Sequence, residues 1–171
     1  MTKEISSKID LMNSLEKTSR DLLKLIEKFD IDEINLVPFS DSWTGAQVAD
    51  HVTKSNRSIA KALLLKGTIM TRKVDERVPE LKDVFLNFTT KLKSPDFILP
   101  DNGHFVKIVL IANLSHSIEK LKENAAASDL SILINHPAFG DISKYEILHF
   151  VLYHTQRHIH QLENIYESIK K

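Results

Sequence analysis

Cysteine is missing from all 171 residues, so the chain forms no disulfide, offers no thiolate to a metal and has no cysteine nucleophile. Any metal must therefore be held by His, Asp or Glu. Charge of one sign is missing too: 23 Lys+Arg balance 23 Asp+Glu, a poor basis for tracking phosphates, so no nucleic-acid partner is expected. No apolar run approaches the roughly 18–20 residues of a membrane span, which argues against a membrane partner. The opening MTKEISSKID lacks the apolar stretch of a secretory signal, and a cytoplasmic location is the expectation that follows. Only 4 glycines and 5 prolines are present, leaving few places to break a helix. With 42% hydrophobic and 27% charged residues, the composition is that of a globular protein, and the length fits one domain over residues 1–171. Histidine is plentiful, with 8 residues, and function is best sought there.

Ile5, Ile9, Met12, Leu15, Leu22, Ile26 and Phe29 recur at spacings of three, four or seven and predict a helix from about Ser6 to Phe29. Pro38 and Ser40-Asp41-Ser42 make residues 30–43 a loop. Thr44 and Gln47 form a capping box that opens a second helix, with Val48, Val52, Ile59 and Leu63 inward and an end near Lys66-Gly67. After a connection over residues 67–78, Pro79 opens a shorter helix to about Lys93. Phe105, Ile108, Val109, Ala112, Ser115, Ile118 and Leu121 describe a third long helix from about His104 to Ala127. Residues 128–141 read as irregular, and Ser143 with Glu146 forms a second capping box for a final helix to about Ile169. No alternating strand pattern exceeds four residues. The expected fold is an all-α four-helix bundle with a short extra helix in the crossover.

His154 and His158, four apart, project from one face of the final helix. At about 100° per residue, Ile147, Phe150, Val151, Gln161 and Ile165 fall within about 60° of His154, so the pair sits in the inward stripe. Two buried imidazoles are costly unless their nitrogens find partners. A metal ion meets that need; backbone carbonyls or water would meet it too, and chance alone supplies roughly 0.4 pairs at this spacing. His51, two turns into the second helix beside Val48, Ser55 and Ile59, also faces inward, and antiparallel packing would bring it near the pair. Three inward histidines leave open coordination positions, as catalytic metals need. Asp50 and Gln161 are candidates for proton transfer or for orienting a ligand.

The remaining residues carry weaker signals. His149 and His160 lie on another face and are expected at the surface or in a subunit contact, while His104 and His116 lack partners at ligand spacing. His136 precedes Pro137 and fits either a turn or a substrate contact. Arg157 reads as a surface or salt-bridging residue, or alternatively as an anion site near the metal. Trp43 reads as a core anchor at the helix start. Leu148, Leu152 and Tyr166 form a second apolar strip about 120–160° from His154. Either the crossover helix or a second subunit must cover it, and a homodimer is expected on that ground.

Taken together, Ser42-Trp43-Thr44 opening a helix, His51 eight residues after Trp43, His136-Pro137-Ala138-Phe139-Gly140, and the final helix reading Tyr153-His154-Thr155-Gln156-Arg157-His158-Ile159-His160-Gln161-Leu162 resemble the DinB-like (YfiT-like) superfamily of metal-dependent enzymes. The order and spacing match over nearly the whole chain. The resemblance implies an up-down-down-up bundle, commonly dimeric, with a divalent metal on three histidines that correspond here to His51, His154 and His158. It implies a small-molecule substrate attacked by activated water, as in a hydrolase, or by an activated thiol, as in a thiol transferase. Zinc or nickel is the first expectation for the metal, with cobalt and iron also compatible with three imidazoles and a water. The lack of cysteine suits a low-molecular-weight thiol arriving as cosubstrate. The reading from a different class is a non-catalytic metal-binding or structural helical module, supported by the lack of an unmistakable general base near the ligands.

Overall fold

The computed structural model describes residues 2–171 and side chains from Lys8 onward; the stripe position Ile5 lies outside the described side chains. The helices are α1 (Thr2–Lys28), α2 (Gly45–Ala62), α3 (Val78–Phe85), α4 (Lys107–Ala127) and α5 (Lys144–Lys170). Both capping boxes form. Thr44 Oγ1 accepts the Gln47 N–H while Gln47 Oε1 accepts the Thr44 N–H, each at 3.1 Å, and Ser143 and Glu146 do the same at 2.9 Å.

Contacts between helices give their directions. Arg57 reaches Asn113 and Asn124 reaches the Ala60 carbonyl, so α2 and α4 run the same way. Glu16 pairs with Lys122 while Lys107 bonds the Phe29 carbonyl, so α1 opposes α4. Val48 shares a core cluster with Ile165, and Ile59 another with Ile147, so α5 opposes α2. The result is an up-down-down-up four-helix bundle. Among the described residues, no helix is long and apolar enough to cross a membrane.

Several boundaries differ from those expected, each for a local reason. The α3 helix stops at Phe85 because the Asn87 side chain accepts both the Thr89 N–H (3.1 Å) and the Thr89 hydroxyl (2.7 Å), a turn that competes with further helix. The α4 helix starts at Lys107 because Asn35 occupies both backbone groups of Phe105, at 2.8 and 3.0 Å. Its buried face is Leu110, Leu114, Ser117, Ile118, Leu121 and Ala125, while Ile108 and Val109 are exposed. Ile9, counted in the first stripe, is also exposed.

Strands form in the connection expected over residues 67–78 and in the stretch expected to be irregular over residues 128–141. β1 (Thr68–Ile69), β2 (Ile132–His136) and β3 (Gly140–Ser143) form an antiparallel sheet in that order, with Thr68 opposite Leu133 and His136 opposite Gly140. Pro137-Ala138-Phe139 is the hairpin loop, closed by the Phe139 N–H on the His136 carbonyl (3.1 Å), and Gly140 takes φ +63° at its end. Gly67 lies so close to β2 that a Cβ there would meet the Leu133 carbonyl oxygen at 2.0 Å.

The apolar strip on α5 is covered within the chain. Leu148 and Leu152 are 0% and 7% exposed in a cluster with Leu11, Leu15 and Leu81, and Tyr166 packs edge-on against Phe29 at 5.0 Å. The homodimer expectation therefore loses the surface it stood on. Above and below mid-height the bundle has two apolar clusters. Between them lies a layer of buried polar side chains: Thr18 from α1, His51, Ser55 and Asn56 from α2, Ser117 from α4, and His154, Thr155 and His158 from α5.

Candidate metal centre

Because α2 and α5 are antiparallel, His51 descends into this layer as His154 and His158 rise into it. The three are 1%, 6% and 7% exposed, and one ring nitrogen from each lies within 4.8 Å of the others. His154 Nε2 is 3.0 Å from both His51 Nε2 and His158 Nε2. Two of the outer nitrogens are engaged elsewhere: His51 Nδ1 is 2.8 Å from the Ile98 carbonyl oxygen, and His158 Nδ1 is 2.8 Å from Gln161 Oε1. Both partners accept only, so each neutral ring carries its proton on Nδ1 and turns its Nε2 lone pair inward.

That proton count tests whether a metal fits. One proton on His154 Nε2 can satisfy one of the two facing lone pairs, whereas a cation satisfies all three nitrogens. Metal–nitrogen bonds of about 2.0–2.1 Å separate two nitrogens by about 2.9 Å at right angles and about 3.3 Å at the tetrahedral angle, a range that includes the two observed 3.0 Å edges. The donor set, with the outer nitrogens of His51 and His158 already hydrogen-bonded, is compatible with a divalent cation.

Electrostatics favour the metal-binding protonation state. Burial holds His154 well below the usual imidazole range, reinforced by His158 and His51. Burial and then His51 push His158 down to about 3, against the opposing Gln161 hydrogen bond. Burial also lowers His51, with the Ile98 carbonyl and Asp50 opposing. Neutral imidazole is the form that ligates.

The histidines form the floor of a cavity of about 810 Å³, walled nearby by Trp43, Phe85 and Phe150. Trp43 combines the core role expected of it, packing on the upper cluster, with a ring contact to His51 at 5.1 Å. Gln161 lies in the wall and orients His158. Asp50 does not line the cavity; its Oδ2 accepts the Asp101 N–H (2.9 Å) and pairs with Lys54 (3.1 Å). This carboxylate ties down the segment whose Ile98 carbonyl holds His51.

Other expectations are revised as well. Arg157 makes no ion pair among the described residues; its guanidinium bonds the carbonyls of Phe85 (3.4 Å), Asn87 (2.7 Å) and Thr90. His160 is stacked on Phe88 in the cavity wall, with ring centroids 4.2 Å apart and an 11° tilt, instead of standing on the outer surface. His149 lies between Tyr145 and Tyr153, with both ring nitrogens shielded and without a hydrogen-bond partner among the described residues. His104 and His116 are exposed and outside the site. His136 is 5% exposed and lines the cavity beside Phe139. The wall segment from Phe85 to Leu99 was not found by sequence reasoning. Ile98 acts there through a backbone carbonyl, which has no side-chain signature.

Comparison with known proteins agrees with this architecture. The chain is 24% identical to "Uncharacterized protein YuaE" of Bacillus subtilis (strain 168) over 147 residues, 82% of this chain and 87% of that protein. It shares its fold with TT2238, a four-helix bundle protein of known crystal structure, at a TM-score of 0.60 and 19% identity, covering 92% of this chain and 98% of that one. The sequence profile of the DinB superfamily matches residues 14–162, a span that holds all three histidines and the cavity wall except Asn164. The chain belongs to the DinB superfamily.

Proposed function

We propose that this chain is a metal-dependent enzyme acting on a small molecule, with His51, His154 and His158 holding one divalent cation, zinc or nickel. The observation that carries the reading is the convergence of three neutral Nε2 atoms at the floor of an open cavity, with His51 and His158 held from behind by acceptors. When bound, such an ion supplies Lewis acidity that lowers the pKa of a water or of a thiol cosubstrate. The chain's own part is positional. Ile98 and Gln161 fix the imidazole planes, Trp43 and Phe150 shield the floor from bulk water, and the cavity admits the second reactant.

Of hydrolysis and thiol transfer, the wall composition favours the thiol. Asp41 is the one carboxylate among the described cavity residues, and it is exposed at the rim. Hydrolysis by a bound water ordinarily uses a nearby base, and of the wall imidazoles His136 has its lone pair taken by the Ala138 N–H while His160 Nε2 meets Asn164, whereas a thiol with an ordinary pKa of about 8.5 needs only modest acidification. A cytoplasmic setting, where small thiols stay reduced, suits this chemistry.

The test begins with elemental analysis of the purified chain, which should show about one equivalent of zinc or nickel. The loaded protein is then assayed for conjugation of a small thiol to a generic electrophile, and for ester and amide hydrolysis. A metal-dependent rate that disappears in His154→Ala is the expected result. A protein that takes up no divalent metal would overturn the reading, and metal uptake without either activity would favour the non-catalytic metal-binding module.

A further inference from the structure

We propose that the cavity above the histidines binds an amphipathic carboxylate, with its apolar body along the rim and a carboxylate oxygen hydrogen-bonded to His136 Nε2–H. This names a substrate class for the site proposed above and rests on that reading for the word substrate; the binding itself needs no metal.

The first observation is a locked tautomer. Inside the β2–β3 turn, the Ala138 N–H donates to His136 Nδ1 at 3.1 Å. A backbone N–H can only donate, so Nδ1 is the acceptor and the neutral ring carries its proton on Nε2. Burial lowers the His136 pKa and so keeps the ring neutral. The ring is 5% exposed, lines the cavity, and has no acceptor for Nε2–H among the described residues. Asn or Asp would cap such a turn equally well through a side-chain oxygen. The second nitrogen of the imidazole is surplus to the turn and supplies a donor to the cavity.

The second observation is the rim. Phe39, Val84, Phe88, Leu92, Phe97 and Leu99 are each between 38% and 53% exposed, and all six line this cavity. Large apolar side chains gathered around a concave opening mark a binding site for an apolar body. The third is charge. Lys91, Lys93 and Arg157 line the cavity against Asp41 alone, and all three hydrogen bonds of Arg157 go to carbonyl oxygens, which leave its positive charge unneutralised. An acceptor-bearing head carrying negative charge matches both the free donor and this field.

The experiment uses the full chain, labelled with 15N-histidine, in metal-free and zinc-loaded forms, with octanoate and octylamine as probes. At neutral pH the His136 ring should show the Nε2–H tautomer, and octanoate should shift that resonance. Octanoate should bind about tenfold or more tightly than octylammonium, the scale of a hydrogen bond to a charged group. His136→Asn, which can still cap the turn, should lower octanoate affinity about tenfold with an unchanged melting temperature, and His136→Leu should lower it at least as far. An Nδ1–H tautomer, equal affinity for the two probes, or wild-type octanoate binding by His136→Asn would each overturn the proposal. Octanoate binding seen only with zinc and indifferent to His136→Asn would place the carboxylate at the metal, overturning this proposal and leaving the metal reading intact. Failure of zinc uptake with His136-dependent octanoate binding preserved would overturn the metal reading alone.

Discussion

Glu146 and His154 are both buried on α5, about two turns apart. The Glu146 carboxylate receives Arg72 Nη1 and Nη2 at 2.6 and 2.8 Å, the Arg77 N–H at 2.8 Å and the Ser143 N–H at 2.9 Å. His154 Nε2 faces two imidazole nitrogens at 3.0 Å, with at most one proton to share between them. The first cluster is complete within the chain and joins the segment before α3 to the start of α5. The second is incomplete and opens on a cavity. A buried polar group whose partners are all supplied internally acts in folding, and one whose partners are withheld is arranged for something that arrives later.

This contrast can be broken most directly at Glu146. Glu146→Ala leaves the Arg72 guanidinium and two backbone N–H groups without their acceptor, and should cost about 3–5 kcal/mol in chemical unfolding. Burial alone would raise the Glu146 pKa, but the Arg72, Ser143 and Arg77 hydrogen bonds outweigh it and hold the carboxyl below its ordinary 4.5. The stabilisation is therefore fully present above about pH 4.5 and lost as pH falls through the lowered folded value. Unfolding curves of Glu146→Gln across that range should show a flattened acid limb; an unchanged limb would mean that the cluster is not the acid-sensitive element.

His154→Ala should do the reverse. Divalent affinity, measured by competition with a chelator, should fall at least about 100-fold, beyond what outer hydrogen-bond partners of metal ligands typically contribute. Metal-free stability should fall less than in Glu146→Ala, because no buried donor loses its acceptor. Comparable destabilisation by the two substitutions would erase the distinction. A smaller change follows from Gln161→Leu, which frees the His158 ring from its 2.8 Å partner and should weaken metal binding about tenfold. The smallest is His160→Ala, on the same helix and in the same cavity wall, which should leave metal stoichiometry unchanged.

How far the sequence could be read depended on the range of each interaction. The two capping boxes were legible because both partners lie three residues apart, and the His154/His158 pair because a helix turns spacing into direction. His51 could be joined to them once α2 and α5 were taken as antiparallel. The α4 face was misread because Ile108 and Val109 are as apolar as Leu110 and Leu114, so periodicity alone cannot say which side meets the bundle. The sheet was missed because its strands are two, five and four residues long, too short to display alternation. Asp50 was legible as a neighbour of His51, but its contacts with Lys54 and the Asp101 N–H are met only in the folded chain.

The chain between α3 and α4 is fastened at two places to different ligand-bearing helices. Arg157 of α5 grips the end of α3 at Phe85 and the chain after it at Asn87 and Thr90, while α2 grips that chain through Asp50 and Lys54 at Leu99 and Asp101. It thus ties the helix carrying His51 to the helix carrying His154 and His158, which also pack directly on one another. Lengthening or shortening the unfastened residues between Thr90 and Ile98 would strain this tie, and with it the placement of the Ile98 carbonyl on His51, without replacing a single histidine. The geometry of the three-histidine group is therefore tied to a loop that contributes no side chain to it.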